Sequence, residues 1–442
     1  MSLSDLPGSL PERPVTDPAL DPAPTQGPTT ALAEPVDRVR SLWVTGVVLV
    51  NVGINAAFFG PIQVLLGQQA IHFDESQKEA IFALVSGCGA AVSLVANPIF
   101  GAFSDRTTSR LGRRVPWVLF GAILGAAALV ALAGAPNVAV MTILWCLVQA
   151  GCNGAYAAIT AAIPDRVPVP QRGAVGGLAA MGQTVGILAG AVIASVVSGN
   201  FAFGYVVCAA ALLAGVVLYL FKNDDVPLLP EARPPFKLWA FVKGFWISPV
   251  KYPDFAWAWL TRFLVNVGNH LVTLYLLFFL KDAVHLEETQ GIKPEFGVLI
   301  LTGLYAVMVI ITSVVGGAIS DRMGKRKPLV IVSSVVISLA ALILAFEPTW
   351  TGAIAGAAVL GVGFGAYLAV DFALISQVLP TALDRGRDLG VINIANSLPQ
   401  VIAPAIASFF VVLWGGYVSL YVAAAVIGLL GAVFVVKIKG VA

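Results

Sequence analysis

Gly101-Ala102-Phe103-Ser104-Asp105-Arg106-Thr107-Thr108-Ser109-Arg110-Leu111-Gly112-Arg113-Arg114 is a charged loop set between long apolar runs, and a version of it occurs twice. The second copy is Gly317-Ala318-Ile319-Ser320-Asp321-Arg322-Met323-Gly324-Lys325-Arg326-Lys327. Both place Gly-x-x-x-Asp-Arg ahead of a small cationic cluster. A duplicated basic loop in an otherwise apolar chain predicts a membrane protein of two homologous halves.

The runs on either side of the loops have the length a bilayer demands. A hydrocarbon core of about 30 Å takes roughly 20 apolar residues per helix. Spans are expected near 41–66, 79–103, 115–134, 138–163, 172–197, 200–221, 256–280, 296–319, 328–346, 351–378, 388–413 and 416–436. The halves align by hand: Asp105 with Asp321 at an offset of 216, Gly112 with Gly324 at 212, Tyr156 with Tyr367 at 211, Gly176 with Gly390 at 214. The expected fold is an all-α integral membrane protein: twelve helices in two pseudo-symmetric six-helix bundles, 37–221 and 256–442, joined by a connector over 222–255.

Composition agrees. Hydrophobic residues make up 58% of the 442 and charged residues 11%, against roughly 45–50% and 25% in soluble domains, and mean hydropathy is +0.89. A net charge of +2 gives nucleic-acid binding no electrostatic support. Residues 1–36 carry eight prolines and no apolar run, so they read as a disordered tail. Cys88, Cys146, Cys152 and Cys208 lie inside apolar runs without metal-ligand spacing and read as packing residues. Only Lys78, Lys281 and Lys293 fall on one side of the expected spans, and almost every other Lys and Arg falls on the opposite side. The positive-inside rule then puts both termini and both repeated loops in the cytoplasm of a multi-pass inner (plasma) membrane protein.

Polar residues recur at helical spacing in several spans. Span 1 has Asn51, Asn55 and Gln63; span 4 has Gln149, Asn153, Tyr156 and Thr160; span 7 has Arg262, Asn266, Asn269, His270 and Thr273; span 10 has Tyr367 and Asp371; span 11 adds Asn393, Asn396 and Gln400. Such spacing puts each set on one helix face, and unpaired amides are costly in hydrocarbon, so the faces should point inward. They either line a substrate cavity or serve as hydrogen-bonding glue between helices. Asp371 is the one carboxylate well inside a span, either a proton carrier or the fixed partner of Arg262. His270 is the second titratable candidate, with a packing histidine as the alternative. Trp145, Tyr156, Trp259 and Tyr367 could stack on a sugar ring or simply pack. Gly182, Gly186 and Gly190 form a small-residue face for close helix approach.

The second loop resembles the signature that the major facilitator superfamily carries between spans 2–3 and 8–9. The first, Ser104 to Trp117 in expanded form, looks like the glycoside–pentoside–hexuronide:cation symporter branch, with melibiose permeases and plant sucrose transporters as neighbours. That resemblance implies that spans 1, 4, 7 and 10 line the cavity. It also implies a cytoplasmic latch of Asp105, Arg106, Arg113, Asp321 and Arg322, with Asp105 facing the start of span 11 near Asp388 and Asp321 the start of span 5 near Arg172. Melibiose-type carriers use acids on spans 2 and 4 for their cation. None is present here, where Ser93, Asn97, Asn153 and Thr160 are the nearest polar residues; the acid lies instead in the second half, at Asp371, which favours a proton or no coupling ion over sodium.

The expected function is secondary active transport of a small polar solute, a sugar or glycoside with a proton, by rocker-switch alternating access. Proton-driven efflux of an amphipathic compound is the alternative, and a non-transporting receptor or scaffold a third class. No nucleotide-binding loop ending in Gly-Lys-Ser/Thr occurs, and no nucleophile–base pair can be proposed, so no enzymatic activity is expected. The expected partners are a small-molecule substrate with H+ and the lipid bilayer, with no cofactor, no metal, no nucleic acid and a functional monomer.

Overall fold

The computed structural model of the chain describes residues 35–197, 199–221, 225, 227–233, 248–323, 326–378 and 385–439. Within these, the side chains of 169, 170, 173, 232, 318, 321, 372, 373, 375–378 and 385–393 are not described. The tail over 1–34, much of the connector, and the side chains of Asp321, Asp388 and Asn393 therefore lie outside the described residues.

The first half comprises α1 (Ser41–Phe73), α2 (Lys78–Ser104), α3 (Val115–Leu132), α4 (Val138–Arg166), α5 (Val169–Val196) and α6 (Phe201–Phe221). The second comprises α7 (Pro253–Leu274, continuing after a break as Leu276–Asp282), α8 (Pro294–Met323), α9 (Lys327–Phe346), α10 (Trp350–Val378), α11 (Arg385–Ser408) and α12 (Gly416–Val435). Eleven helices among the described residues are long and apolar enough to cross a membrane, and the bent α7 makes a twelfth. The protein is a multi-pass membrane protein. Val95, Ile143, Met181, Val314 and Val433 are exposed along the outer faces, as lipid-facing side chains should be.

Local chemistry sets the helix ends. The Asn137 side chain accepts from Val140 N and caps α4. Asp74 accepts from both Ser76 N and Ser76 Oγ ahead of α2, and the Ser76 hydroxyl, then its N–H, hold the carboxyl below its ordinary range.

Close helix contacts depend on missing side chains. A Cβ on Gly186 of α5 would lie 2.6 Å from Val52 O of α1, one on Gly182 2.7 Å from Val48 O, and one on Gly190 2.6 Å from Gly60 N. The expected small-residue face thus packs on α1 within the first half. In the α3–α4 contact, a Cβ on Gly151 would lie 2.6 Å from Gly125 N. Cys152 and Cys208 are buried in the same half.

The first helix of each half is interrupted. In α1 the stretch Pro61–Leu65 is π-helical, because Pro61 has no N–H to donate and its ring crowds the carbonyl four residues back. The two parts of α7 meet at 42° across Tyr275. Tyr275 lies 214 residues after Pro61, the same offset that relates Gly176 to Gly390. Beyond these interruptions the short tips meet across the halves: a Cβ on Gly67 would contact Leu277 and Phe278.

Candidate functional site

Deep in the second half, Arg262 of α7 meets Asp371 of α10, Nη1 to Oδ2 at 2.7 Å, with side chains only 13% and 7% exposed. The contact is a charge pair rather than an aligned hydrogen bond. Tyr367, one turn before Asp371, donates its hydroxyl to Asp371 Oδ1 at 2.6 Å. Arg262 Nε donates to Asn396 Oδ1 of α11 at 2.7 Å, and Asn266 Nδ2 reaches that same oxygen at 3.3 Å while donating to Arg262 O at 2.9 Å. Helical i, i+4 spacing delivers Arg262 with Asn266, and Tyr367 with Asp371, to facing sides. Three helices thereby satisfy both carboxylate oxygens and fix the guanidinium. Higher on α7, Asn269 accepts from the Tyr305 hydroxyl at 3.3 Å. His270 is half-buried, and its ring makes no hydrogen bond among the described residues.

The first half contributes neutral amides. Asn51 Nδ2 donates to Val47 O at 2.9 Å and Asn55 Nδ2 to Asn51 O at 2.8 Å. Asn153 Nδ2 donates to Gln149 O at 2.8 Å and to Gln149 Oε1 at 3.2 Å, and Gln183 Nε2 donates to the Tyr156 hydroxyl at 3.1 Å. Each pair ties an amide to its own or a neighbouring helix of the same half. Thr160 is exposed. Among the candidate stacking aromatics, Trp145 is fully buried against Gly89 and packs the α2–α4 contact, while Trp259 stacks on Phe263 with ring centroids 5.3 Å apart.

The first repeated loop is held by its own half. Asp105 pairs with Arg114 at 2.7 Å, so this carboxylate has a partner within its half where the family likeness implied the start of α11. Asp165, at the end of α4, receives Arg113 at 2.6 Å and Arg114 at 2.7 Å. Arg114 Nη1 also donates to Ser104 Oγ, and its backbone N–H to Asp225. Burial works against the Arg114 charge, but the hydrogen bond and field of Asp165, then those of Asp105, outweigh it and raise its pKa. Gly112 has φ +91°, and a Cβ there would strike Asp225, so only glycine seats the connector acid in this turn. Arg106 turns back to Ala102 O, and Arg322 is exposed.

At the opposite end of the bundle a group of side-chain hydrogen bonds joins the two halves. Lys78 meets Asp282 at 2.7 Å and Lys281 meets Glu75 at 2.7 Å. Gln68 Nε2 donates to Glu295 Oε1 at 2.8 Å, and Ser195 Oγ donates to Glu295 O at 2.8 Å. Tyr275 donates to Glu79 O at 3.0 Å; Tyr417 donates to Asp282 at 2.9 Å and lies 3.4 Å from the Glu79 carboxylate. Phe82 of α2 packs edge-on against Tyr275 and Phe278 beneath these pairs. Sequence reasoning counted Lys78 and Lys281 only for topology; the signal it passed over is the group of acids, Glu75, Glu79 and Asp282, beside them. It also missed Asp165 and Asp225.

A family model described as Major Facilitator Superfamily matches residues 44–299 and 284–440. No curated protein matches the chain in sequence. Among solved structures, a peptide transporter POT in complex with sulfate superposes with a TM-score of 0.74 at 13% identity, covering 93% of this chain and 97% of that one. A POT family transporter in complex with 5-aminolevulinic acid gives 0.71 at 15%, covering 90% and 96%. A bacterial homolog of the human lysosomal transporter Spinster, inward-facing and unoccupied, gives 0.64 at 16%, covering 90% and 94%. At such identities the likeness is one of fold.

Proposed function

Because the chain belongs to the major facilitator superfamily and is thus a membrane transporter rather than an enzyme, we propose that it carries a small polar solute, a sugar or glycoside, in symport with a proton. The observation that carries the reading is the Arg262–Asp371 pair, a charged group of each sign held in the membrane-spanning core and bound to Tyr367 and Asn396. Intramembrane charges are expensive and mark transport pathways. Asn51 and Asn55 each donate one amide hydrogen to their own helix, which leaves the second hydrogen and the side-chain oxygen to meet solute hydroxyls. Substrate contact is assigned to Asn51, Asn55, Gln149, Asn153, Tyr156, Asn266, Asn269, Tyr367, Asn393 and Asn396, and proton loading to Asp371 with His270.

Protonating Asp371 removes its attraction for Arg262, so the guanidinium and Asn396 can re-pair as solute enters. The units that rock are 37–221 and 256–442, with the loops at Asp105 and Asp321 latching the cytoplasmic side in the alternate state. The excess of Lys and Arg at the end bearing the termini supports a cytoplasmic assignment for that end. The ties at Lys78–Asp282 and Lys281–Glu75 then belong to the outward gate in its closed position.

The test is counterflow and uptake in proteoliposomes, with and without an inward pH gradient. The panel holds labelled sugars and glycosides, dipeptides and 5-aminolevulinic acid (after the POT neighbours), and lipophilic dyes. Gradient-driven accumulation of a sugar or glycoside is expected. Accumulation of a peptide instead overturns the substrate class, and expulsion of dye overturns the direction.

A further inference from the structure

At the end away from the termini, Gln68 on the tip of α1 donates Nε2 to Glu295 Oε1 at the start of α8, 2.8 Å across the boundary between the halves. Gln68 Oε1 is buried and accepts from no group among the described residues. A buried acceptor left unmet costs free energy, and the neighbour it has is an ionised carboxylate, which only accepts. The pair is one proton short of complete. Ser195 Oγ holds the Glu295 backbone O at 2.8 Å, which sets the start of α8 beside the tip.

The repeat sharpens the contrast. Glu295 stands 216 residues after Glu79, the offset between Asp105 and Asp321, and Asp282 stands 214 after Gln68, the offset between Pro61 and Tyr275. On the α7 tip the acid, Asp282, is balanced by Lys78. On the α1 tip an amide takes that place, and Glu295 has no ion-pair partner among the described residues. The bases near it are engaged or exposed: Lys281 pairs with Glu75, His285 lies against Glu288, and Lys293 is exposed. His72 packs its ring against Phe201. The other charges at this end of the elements packed on α8 are acidic: Asp282, Glu287 and Glu347.

We propose that Glu295 and Gln68 form a proton-binding site, and that the bound proton holds the tip of α1 shut. This rests on the assignment of this end as the outward gate. A proton taken from the outer solution onto Glu295 Oε2 makes an O–H that donates to Gln68 Oε1, while Gln68 Nε2 still donates to Glu295 Oε1. One hydrogen bond becomes two in a closed ring, and the buried acceptor is met. Loss of the proton to solution restores the single bond and loosens the tip. The α7 tip responds in the opposite sense, since protonating Asp282 or Glu75 removes its attraction for Lys78 or Lys281.

Leu277→Cys places a thiol where the α7 tip meets Gly67, in the full-length protein without its four native cysteines. Its rate of modification by a maleimide, in detergent and without solute, counts openings even when they are rare. Near neutral pH, Glu295→Gln supplies the missing donor permanently and should slow modification about fivefold, the scale of one net hydrogen bond. That gap should narrow as the pH falls from about 7.5 to about 4.5, into the carboxylate range. Comparing the two proteins at each pH cancels the titration of the thiol and of the ionic ties. In Gln68→Leu, exchanging Glu295 for Gln should make no difference. Unchanged or faster modification in Glu295→Gln, a gap that survives in Gln68→Leu, or a gap that acid does not narrow overturns the site. Should Leu277→Cys not fold, spin labels at the exposed His72 and Gln290 carry the same comparison as a change in distance. No reading involves a solute, so failure here leaves the transport proposal standing, and failed uptake leaves this result unaffected.

Discussion

Lys78 of α2 and Asp282 at the tip of α7 meet at 2.7 Å across the boundary between the halves, and Tyr417 donates to the second oxygen of the same carboxylate. The Lys78 side chain is 9% exposed, so this contact is less screened than an ordinary surface pair. It is one of the few ties that any opening at this end must break.

Asp282→Asn weakens that tie by about 2 kcal/mol, the scale of a charged hydrogen bond, which shifts a two-state equilibrium roughly thirtyfold. Spin labels at the exposed Ser76 and Glu287, on a background without the four native cysteines, should report a larger share of long distances. An unchanged distribution removes the pair from any gating role.

Asp371→Asn strands Arg262 without its counter-charge, at a cost of about 3–5 kcal/mol, read as a lower melting temperature. Replacing both, Arg262→Met with Asp371→Leu, should recover most of that stability, since an apolar pair of similar volume avoids the desolvation penalty. Gradient-driven uptake should stay lost in the double variant. If uptake keeps its wild-type pH profile in Asp371→Asn, the carboxylate does not load the proton.

Asp165→Asn removes the shared partner of Arg113 and Arg114, both buried, and should cost about 3 kcal/mol. Asp105, with its side chain 52% exposed, should cost under about 1 kcal/mol as Asn. The latch role predicts the reverse order for transport: Asp105→Asn slows uptake while barely moving the melting temperature. A wild-type rate in Asp105→Asn refutes the latch.

Gly186→Ala drives a Cβ to 2.6 Å from Val52 O and 2.7 Å from Asn55 Cβ, so α1 and α5 must separate, at about 1–3 kcal/mol. Gly177→Ala on the same helix meets nothing within 4 Å and should be neutral or stabilising by up to about 1 kcal/mol. Melting temperatures of the two variants check the contrast; equal values would mean the α1–α5 contact is slack.

Much of the fold was legible because bilayer thickness and the repeated loop act on sequence directly. The expected 41–66 became Ser41–Phe73 only because Pro61 widened the helix instead of ending it. The pairing of Arg262 with Asp371 was one of two readings left open, and its distance needed coordinates. The ties among Glu75, Lys78, Glu79, Lys281 and Asp282 were illegible for a different reason. They join residues about 200 apart whose meeting depends on how the halves sit, and no helical periodicity encodes that. Asp165 escaped notice because a lone acid at a helix end has many possible partners; it took the folded loop to bring Arg113 and Arg114 to it.

The matched interruptions at Pro61 and Tyr275 divide the leading helix of each half into a long shaft and a short tip. Where the regular backbone ladder is already interrupted, swinging the tip sacrifices fewer hydrogen bonds than bending an intact helix would. At the gate proposed above, these breaks at matching positions of the repeat would let the two tips part in two modest movements instead of one large one.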